Sequence, residues 1–504
     1  MKTKFLWRCL AVVLVSLIVL AALSGCNNPA DDANDDTEPT EETTVDPTNS
    51  SIEETTADPN EFVYPENVSF KGREFRILNC TRNQWNMLAY ITADSMTGEE
   101  VNDATFTRQV KVSEAFDCKI IETNVSIYDL KKELEKVVLS GEVAYDAAYQ
   151  RADETISGIL DNSYIPLDTI SNIHLERNYW SQDLLDVSSL NKTHYFAASD
   201  LQLMSFDGVW CIYFNAEILK NKGIDAPYQL VKDGKWTLDE LHVLASQACD
   251  LGPDESWNYN PAGECVYGFA TFRDGIPKLL FGIEALFGGK DASDLPYLAC
   301  TEMGFTERAL KLAEFCGEAG AYFYAQASTG NGDAYDQMFI DERSVFCGAE
   351  IKFAQTLRGV GMNYGMLPFP KYSEDQESYH TTMINYLPVM TIPTTNNSPE
   401  DIGLIMDALS YEAHLTMADV YYGNRVSLKG TGEDTANDVA MLEIMRETRS
   451  LDPIVVLGFG SGSTLIDQIT WCVGGGRTNI ESTVAKFSGP SITQITELRS
   501  KLTE

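Results

Sequence analysis

Short apolar strands alternating with helical periodicity constrain what this chain can fold into more tightly than any other feature. Glu74–Asn79 (EFRILN) alternates apolar and polar residues as a strand does, and 102–116 reads as a helix. Lys119–Thr123 (KIIET) is the next strand. Leu130, Leu134, Val137 and Val138 then share the spacing of one helix face, and Gly141 closes that helix. Val143–Tyr149 (VAYDAAY) predicts a third strand. Strand–helix–strand order of this kind gives right-handed crossovers on a largely parallel sheet.

The pattern recurs downstream. Cys211–Asn215, Val266–Thr271, Ser344–Cys347, Asn363–Leu367 and Leu387–Ile392 read as strands. Ala309, Leu312, Ala313 and Cys316 mark one helix face, and Ile402, Ile405, Ala408 and Leu409 another. After Val426 the chain reads as mainly helical. These are more strands than one sheet holds comfortably, so an α/β fold with two sheets is expected.

Composition narrows the partners. The 504 residues carry 37 Lys+Arg against 75 Asp+Glu, a formal net charge of −38 that excludes nucleic acid or an anionic membrane surface as the main partner. Hydrophobic residues at 44% are enough for a sizeable core.

The first residues read as an address. Lys2, Lys4 and Arg8 precede an apolar run from Leu10 to Leu23, shorter than the ~20 residues that span a bilayer. Leu23-Ser24-Gly25-Cys26 resembles a bacterial lipobox, which implies a signal peptide over 1–25 and a lipidated Cys26, palmitate included. The alternative is an ordinary secretory signal with an incidental Cys26. Residues 27–61 hold twelve Asp/Glu, seven Thr, four Pro and no Lys or Arg, so 26–61 is expected to be a disordered acidic tether. Such a segment spans roughly 30 Å as a flexible chain. Without signal and tether, 34 basic residues face 63 acidic ones, a net −29.

Eleven cysteines become nine once Cys9 and Cys26 are set aside, so at least one thiol stays unpaired. No C-x-x-C occurs, and the five histidines lack ligand spacing, so neither a metal nor a cofactor is expected. Gly474-Gly475-Gly476-Arg477 is a glycine turn rather than a phosphate loop. Gly458–Gly462 (GFGSG) misses the nucleophile elbow, because Phe459 stands where its first Gly belongs. Asp254, Ser256, Asn258 and Asn260 alternate as in a calcium loop, but Tyr259 and Cys265 occupy positions that need Gly and Glu. With 75 acidic residues, carboxylate pairs arise by chance and nominate no glycosidase. The chain is read as a non-enzyme.

Several segments, in order, resemble the extracellular solute-binding proteins of ABC importers, the sugar-binding cluster (family 1) in particular. Tyr145–Tyr149 with Tyr164–Asp168 (YIPLD) is similar to that family's "YD…PLD" segment, and Val209–Leu219 to its "YYN…L" crossover. Trp236–Leu241 (WTLDEL) resembles its "TWDEL" helix start, Tyr364–Pro370 its strand returning through the hinge, and Pro388–Pro393 its strand before "IP". The folded part is longer than usual for the family, and 252–264 reads as an insertion. The resemblance implies a two-lobed periplasmic-binding-protein-like (type II) α/β fold joined by about three crossovers. Lobe one is placed at 70–208 and 369–425, lobe two at 209–368 and 426–504. It also implies a monomeric, lipid-anchored protein on the extracytoplasmic face of the cell membrane. Such a protein captures a small solute, a carbohydrate by expectation, and delivers it to permease subunits. The rivals are a secreted glycan-acting lipoprotein hydrolase and a surface adhesion module.

A sugar offers hydroxyls, which suit Asp, Glu, Asn and Arg, and an apolar ring face, which suits an aromatic side chain. Open α/β sheets bind ligands beyond the carboxyl ends of their strands. Candidates there are Asn83 and Trp85 after the first strand, and Arg151 and Asp153 after the third. Asp207 and Trp210 flank the first crossover, Arg273 follows Val266–Thr271, Glu350 follows Ser344–Cys347, and Phe459 lies in the late glycine-rich loop. Each has a plainer alternative. Trp85, Trp210 and Phe459 can be core aromatics, the charged residues can be surface or capping groups, and Trp236 suits packing beside a Thr237 helix cap. The bulk charge and the acids at the strand ends favour a neutral sugar over an anion.

Overall fold

The computed structural model describes residues 58–82, 87–257, 260, 262–325, 334–384, 386–420, 435–459 and 465–503. Strand β1 (Arg73–Cys80) pairs in parallel with β2 (Cys118–Val125) along its whole length, from Arg73↔Cys118 to Cys80↔Val125. On its other side it pairs in parallel with β3 (Ala147–Arg151). Helix Glu100–Phe116 crosses from β1 to β2, and Asp117 ends it in the left-handed region at φ 48°. Helix Leu130–Ser140 crosses from β2 to β3, buries Leu130, Leu134 and Val137, and stops at Gly141 with φ 71°.

The third strand begins four residues later than its apolar pattern suggests. The Asp146 carboxylate accepts from the Arg76 N–H at 2.8 Å and pairs with Arg73 at 2.8 Å. That side-chain bond occupies the donor a ladder partner would use, so regular pairing starts at Ile77↔Ala147 and carries the strand on to Arg151.

The second sheet is built from β4 (Trp210–Asn215), β5 (Tyr267–Thr271), β8 (Tyr322–Tyr324), β9 (Ser344–Glu350) and β10 (Tyr364–Leu367), in the order β10-β4-β9-β5-β8. Between β5 and β8 lies a two-stranded ribbon of β6 (Gly288–Lys290) and β7 (Pro296–Leu298). The chain then returns to the first sheet as β11 (Pro388–Thr391), completing the order β11-β3-β1-β2. The expectation of a largely parallel arrangement is corrected here. β4 runs antiparallel to both β9 and β10, and β11 antiparallel to β3. Strands that leave one sheet and enter the other arrive against the direction of the βαβ strands, so both sheets are mixed.

The remaining helices cover the sheets. Helix Pro399–Val420 packs on helix Glu100–Phe116, and Asp407 on it is wholly buried. The Asp407 carboxylate accepts from Tyr179 Oη (2.9 Å) and Trp180 Nε1 (3.0 Å), and bonds to His174 Nδ1 (2.8 Å). Trp236 is fully buried and donates to the Pro368 carbonyl at 2.9 Å, while Thr237 caps helix Leu238–Ala248 through the Glu240 N–H. All nine cysteines outside residues 1–57 are free thiols, eight of them buried. Among the described residues no helix is long and apolar enough to cross a membrane.

Candidate functional site

The mixed sheets have a geometric consequence. An antiparallel strand begins at the edge where its neighbours end, so Trp210, the first residue of β4, sits directly opposite Glu350, the last of β9. In the other sheet Pro388, which opens β11, pairs with Arg151, which ends β3. The crossovers therefore deliver residues 207–210 and 386–388 to the same edges as the carboxyl ends of β3 and β9.

Arg151 donates to both oxygens of Asp153, from Nε at 2.9 Å and from a terminal nitrogen at 2.6 Å, and lies 3.9 Å from Glu154. Burial works against the guanidinium, but the bonds to Asp153 outweigh it and raise its pKa. Its guanidinium also lies 5.6 Å from the centre of the Tyr386 ring. Just beyond β5, Arg273 donates to Asp274 at 3.1 Å. Glu350 is buried, with the Lys352 ammonium 3.9 Å away. Burial raises its pKa, against the opposing pull of Lys352.

Lys278, on helix Gly275–Gly282, joins the two sheets electrostatically. Its residue is 4% exposed, and its ammonium feels Asp274, Glu350, Asp153 and Arg273. One cation thus senses the ends of β3, β5 and β9 together. Burial lowers its pKa, opposed first by Asp274 and then by Glu350 and Asp153. Beside it opens a pocket of about 310 Å³, mouth included, whose walls include Phe281, Phe287, Met383 and Asp452. Asp452 is buried and accepts backbone N–H bonds from Phe287 (2.7 Å), Gly288 (3.0 Å), Ile454 (2.9 Å) and Val455 (3.2 Å).

Asp153, Arg273 and Glu350 lie within electrostatic reach of Lys278, and Arg151, Asp153 and Glu350 within that of Tyr386. Asp207 is buried beside them, its carbonyl accepting from the Lys352 N–H at 3.3 Å. Two aromatic expectations are corrected. Trp210 is wholly buried against Phe272 (ring centres 5.7 Å apart), and a Cβ on Gly275 would lie 3.2 Å from its ring, so no ring face is open to a sugar. Phe459 is also wholly buried, and only its neighbour Gly458 approaches the cluster, through the Asp153 backbone. Asn83 and Trp85 lie outside the described residues, as does Cys26.

Sequence reasoning missed Lys278, Asp274, Phe272 and Tyr386. Lys278 did leave a signal, as the lone charge in the apolar run GIPKLLFG. Tyr386 and Phe272 are half-buried beside the charged groups, where Trp210 is not. Among the described residues no group of His, Cys, Asp and Glu is arranged to hold a metal ion.

No family profile matches the sequence, and no curated protein matches it. Solved structures do. An extracellular solute-binding protein from Staphylococcus aureus in complex with maltose has a TM-score of 0.54 at 12% identity, over 86% of this chain and 99% of that one. An ABC substrate-binding protein from Listeria monocytogenes in complex with cycloalternan has a TM-score of 0.53 at 10% identity, over 86% and 99%. UgpB from Mycobacterium tuberculosis, in complex with glycerophosphocholine, has a TM-score of 0.52 at 11% identity, over 80% and 96%. The chain therefore has the two-lobed α/β fold of these three structures.

Proposed function

We propose that the protein is the solute-binding component of an ABC importer and captures a carbohydrate for delivery to membrane permease subunits. The observation that carries this reading is the convergence of Arg151, Asp153, Glu350, Lys278 and Tyr386 from the strand ends of both sheets. In this reading residues 70–208 with 369–425 form one lobe, 209–368 with 426–504 the other, and the ligand lies between them. Charged acceptors and donors around a half-buried tyrosine suit hydroxyls and a ring face. Binding is favoured over hydrolysis because Arg151 holds both Asp153 oxygens, which leaves that carboxylate poorly placed as an acid or base. A thermal-shift screen of the purified full-length protein against a carbohydrate library tests the proposal. Stabilisation by a sugar that is recovered unchanged supports it. A sugar that is cleaved, or a library that leaves the unfolding temperature unmoved, overturns it.

The anchor belongs to the same proposal. Cys26 would carry the lipid of the mature protein and hold it on the extracytoplasmic face of the membrane, since a two-chain anchor is stable where one chain is marginal. Cys26→Ala should release the protein from the membrane fraction or leave it unprocessed. Processed, membrane-bound Cys26→Ala protein would overturn the anchor.

A further inference from the structure

The turn that joins β6 to β7 meets a second turn, which belongs to the other sheet. Leu190 and Thr193 exchange backbone hydrogen bonds around Asn191 and Lys192, both left-handed at φ 50° and 63°, as in a two-residue hairpin turn. That turn is fixed to the first sheet, because Ala197 just beyond it pairs with Met390 of β11. The ribbon is fixed to the second. Phe287, which leads into β6, meets Phe305 with ring centres 5.6 Å apart, and Phe305 lies on helix Met303–Cys316, which packs on β8. Asp294, itself left-handed at φ 61°, links the two turns with three bonds. Its carboxylate accepts from Ser189 Oγ at 3.1 Å and from the Lys192 N–H at 2.7 Å, and its carbonyl accepts from the Asn191 N–H at 3.1 Å. Lys290 donates to Ser189 Oγ at 2.6 Å and to the Asp186 carbonyl at 3.1 Å, and it also pairs with Asp294. Helix Gly489–Thr503 braces the same place. Arg499 on it donates to Asp291 at 2.5 Å and to the Pro296 carbonyl at 3.2 Å, while the Leu502 carbonyl accepts from Asn191 Nδ2 at 3.1 Å.

We propose that this contact is a clasp that holds the two lobes together and thereby sets the affinity of a ligand site to which it contributes no residue. The inference rests on the two-lobe binding reading above and adds the regulation of that site. Side chains of Lys290 and Asp294 keep 14% and 21% of their exposure, so their bonds are partly withdrawn from water and count for more than those of a surface pair. Three non-glycine residues in the left-handed region meet at one contact, a local strain that only the bonds around it can hold. Each bond is modest in net terms, so the clasp can break and re-form as the lobes move. A ligand held by both lobes binds the arrangement in which they approach, and its apparent affinity scales with the fraction of molecules in that arrangement.

The test combines small-angle scattering with titration calorimetry on the purified full-length wild type, Asp294→Gly, Lys290→Met and Lys222→Met. Glycine accepts the left-handed backbone at 294, so that variant loses the carboxylate alone. Lys290→Met removes the bonds to Ser189 and Asp186 without touching either turn, and it carries the test if Asp294→Gly does not fold. Lys222→Met is the control, because it removes an ion pair to Asp250 at 2.6 Å away from the clasp. Without sugar, both clasp variants should have a larger radius of gyration than wild type, and the control should not. Maltose and maltotetraose are the probes, and each clasp variant should bind them about tenfold more weakly, the worth of one or two net hydrogen bonds. With sugar bound, the scattering profiles should converge on that of wild type. Unchanged scattering in both clasp variants overturns the clasp, as does an equal change in Lys222→Met. A larger radius with unchanged affinity overturns its control of binding. If neither probe binds wild type while the clasp variants still expand, the clasp stands and the carbohydrate reading beneath it falls.

Discussion

Arg151 grips both carboxylate oxygens of Asp153, its neighbour two residues on, at 2.9 and 2.6 Å. The pair closes β3 and occupies the guanidinium that an anion clamp would need. Arg151→Met should remove the two-pronged partner of Asp153, whose side chain is 4% exposed. The expected cost is about 2–3 kcal/mol. That is below the fully buried figure because the arginine side chain keeps 23% of its exposure. Urea unfolding of Arg151→Met beside Arg151→Met/Asp153→Asn measures it, and the double variant should recover part of the loss.

Gly458 has φ +78°, and a Cβ there would lie 2.0 Å from the Asp153 carbonyl oxygen. Gly458→Ala should therefore cost about 2–4 kcal/mol through backbone strain and overpacking together. Because the clash falls on Asp153, sugar affinity should fall as well, which calorimetry on the folded variant would register.

His414 bonds to Asp200 at 2.7 Å, and that bond raises its pKa above the ordinary 6.5. A histidine whose folded pKa exceeds its unfolded one contributes stability that is full below about pH 6.5 and lost as pH rises through the folded value. His414→Gln should flatten the stability profile above pH 6.5 and lower it below that. Thermal unfolding of both proteins between pH 5 and 9 tests the sign.

Nine free thiols, eight of them buried, should scarcely react with a thiol reagent in the native protein. Burial also pushes the thiols of Cys118 and Cys300 up, to about 11 and about 12. Cys249, half-buried, should react first, and all nine should become titratable in denaturant. A reductant should leave the unfolding temperature unchanged.

The fold was legible wherever one residue pattern met one environment. Leu130, Leu134 and Val137 lie on a helix face that is buried, and Gly141 ends that helix in the left-handed region. Pairing direction was not legible, because Cys211–Asn215 carries the same apolar run whichever neighbour it meets; direction comes from the chain's passage between sheets. At the site, charged residues after strands were found because strand ends are predictable. Trp210 misled, since an aromatic residue is equally at home in a core, and its register opposite Glu350 seals it inside. Lys278 was overlooked because its significance lies in the strand ends that it reaches, a property of three dimensions rather than of spacing.

β11 gives the molecule an order of assembly. Pro388 pairs with Arg151 and Thr391 with Ala148, so the last strand of the first sheet is made well over two hundred residues after the strand it borders. While the intervening sheet is being synthesised, β3 has a bare edge, able to pair with any extended segment that passes. Closing so long a loop is slow, and the exposed edge is where misassembly would start. The strand that returns through the crossover therefore works as a late seal, and a chain cut short of residue 391 should be prone to aggregate although its second sheet is complete.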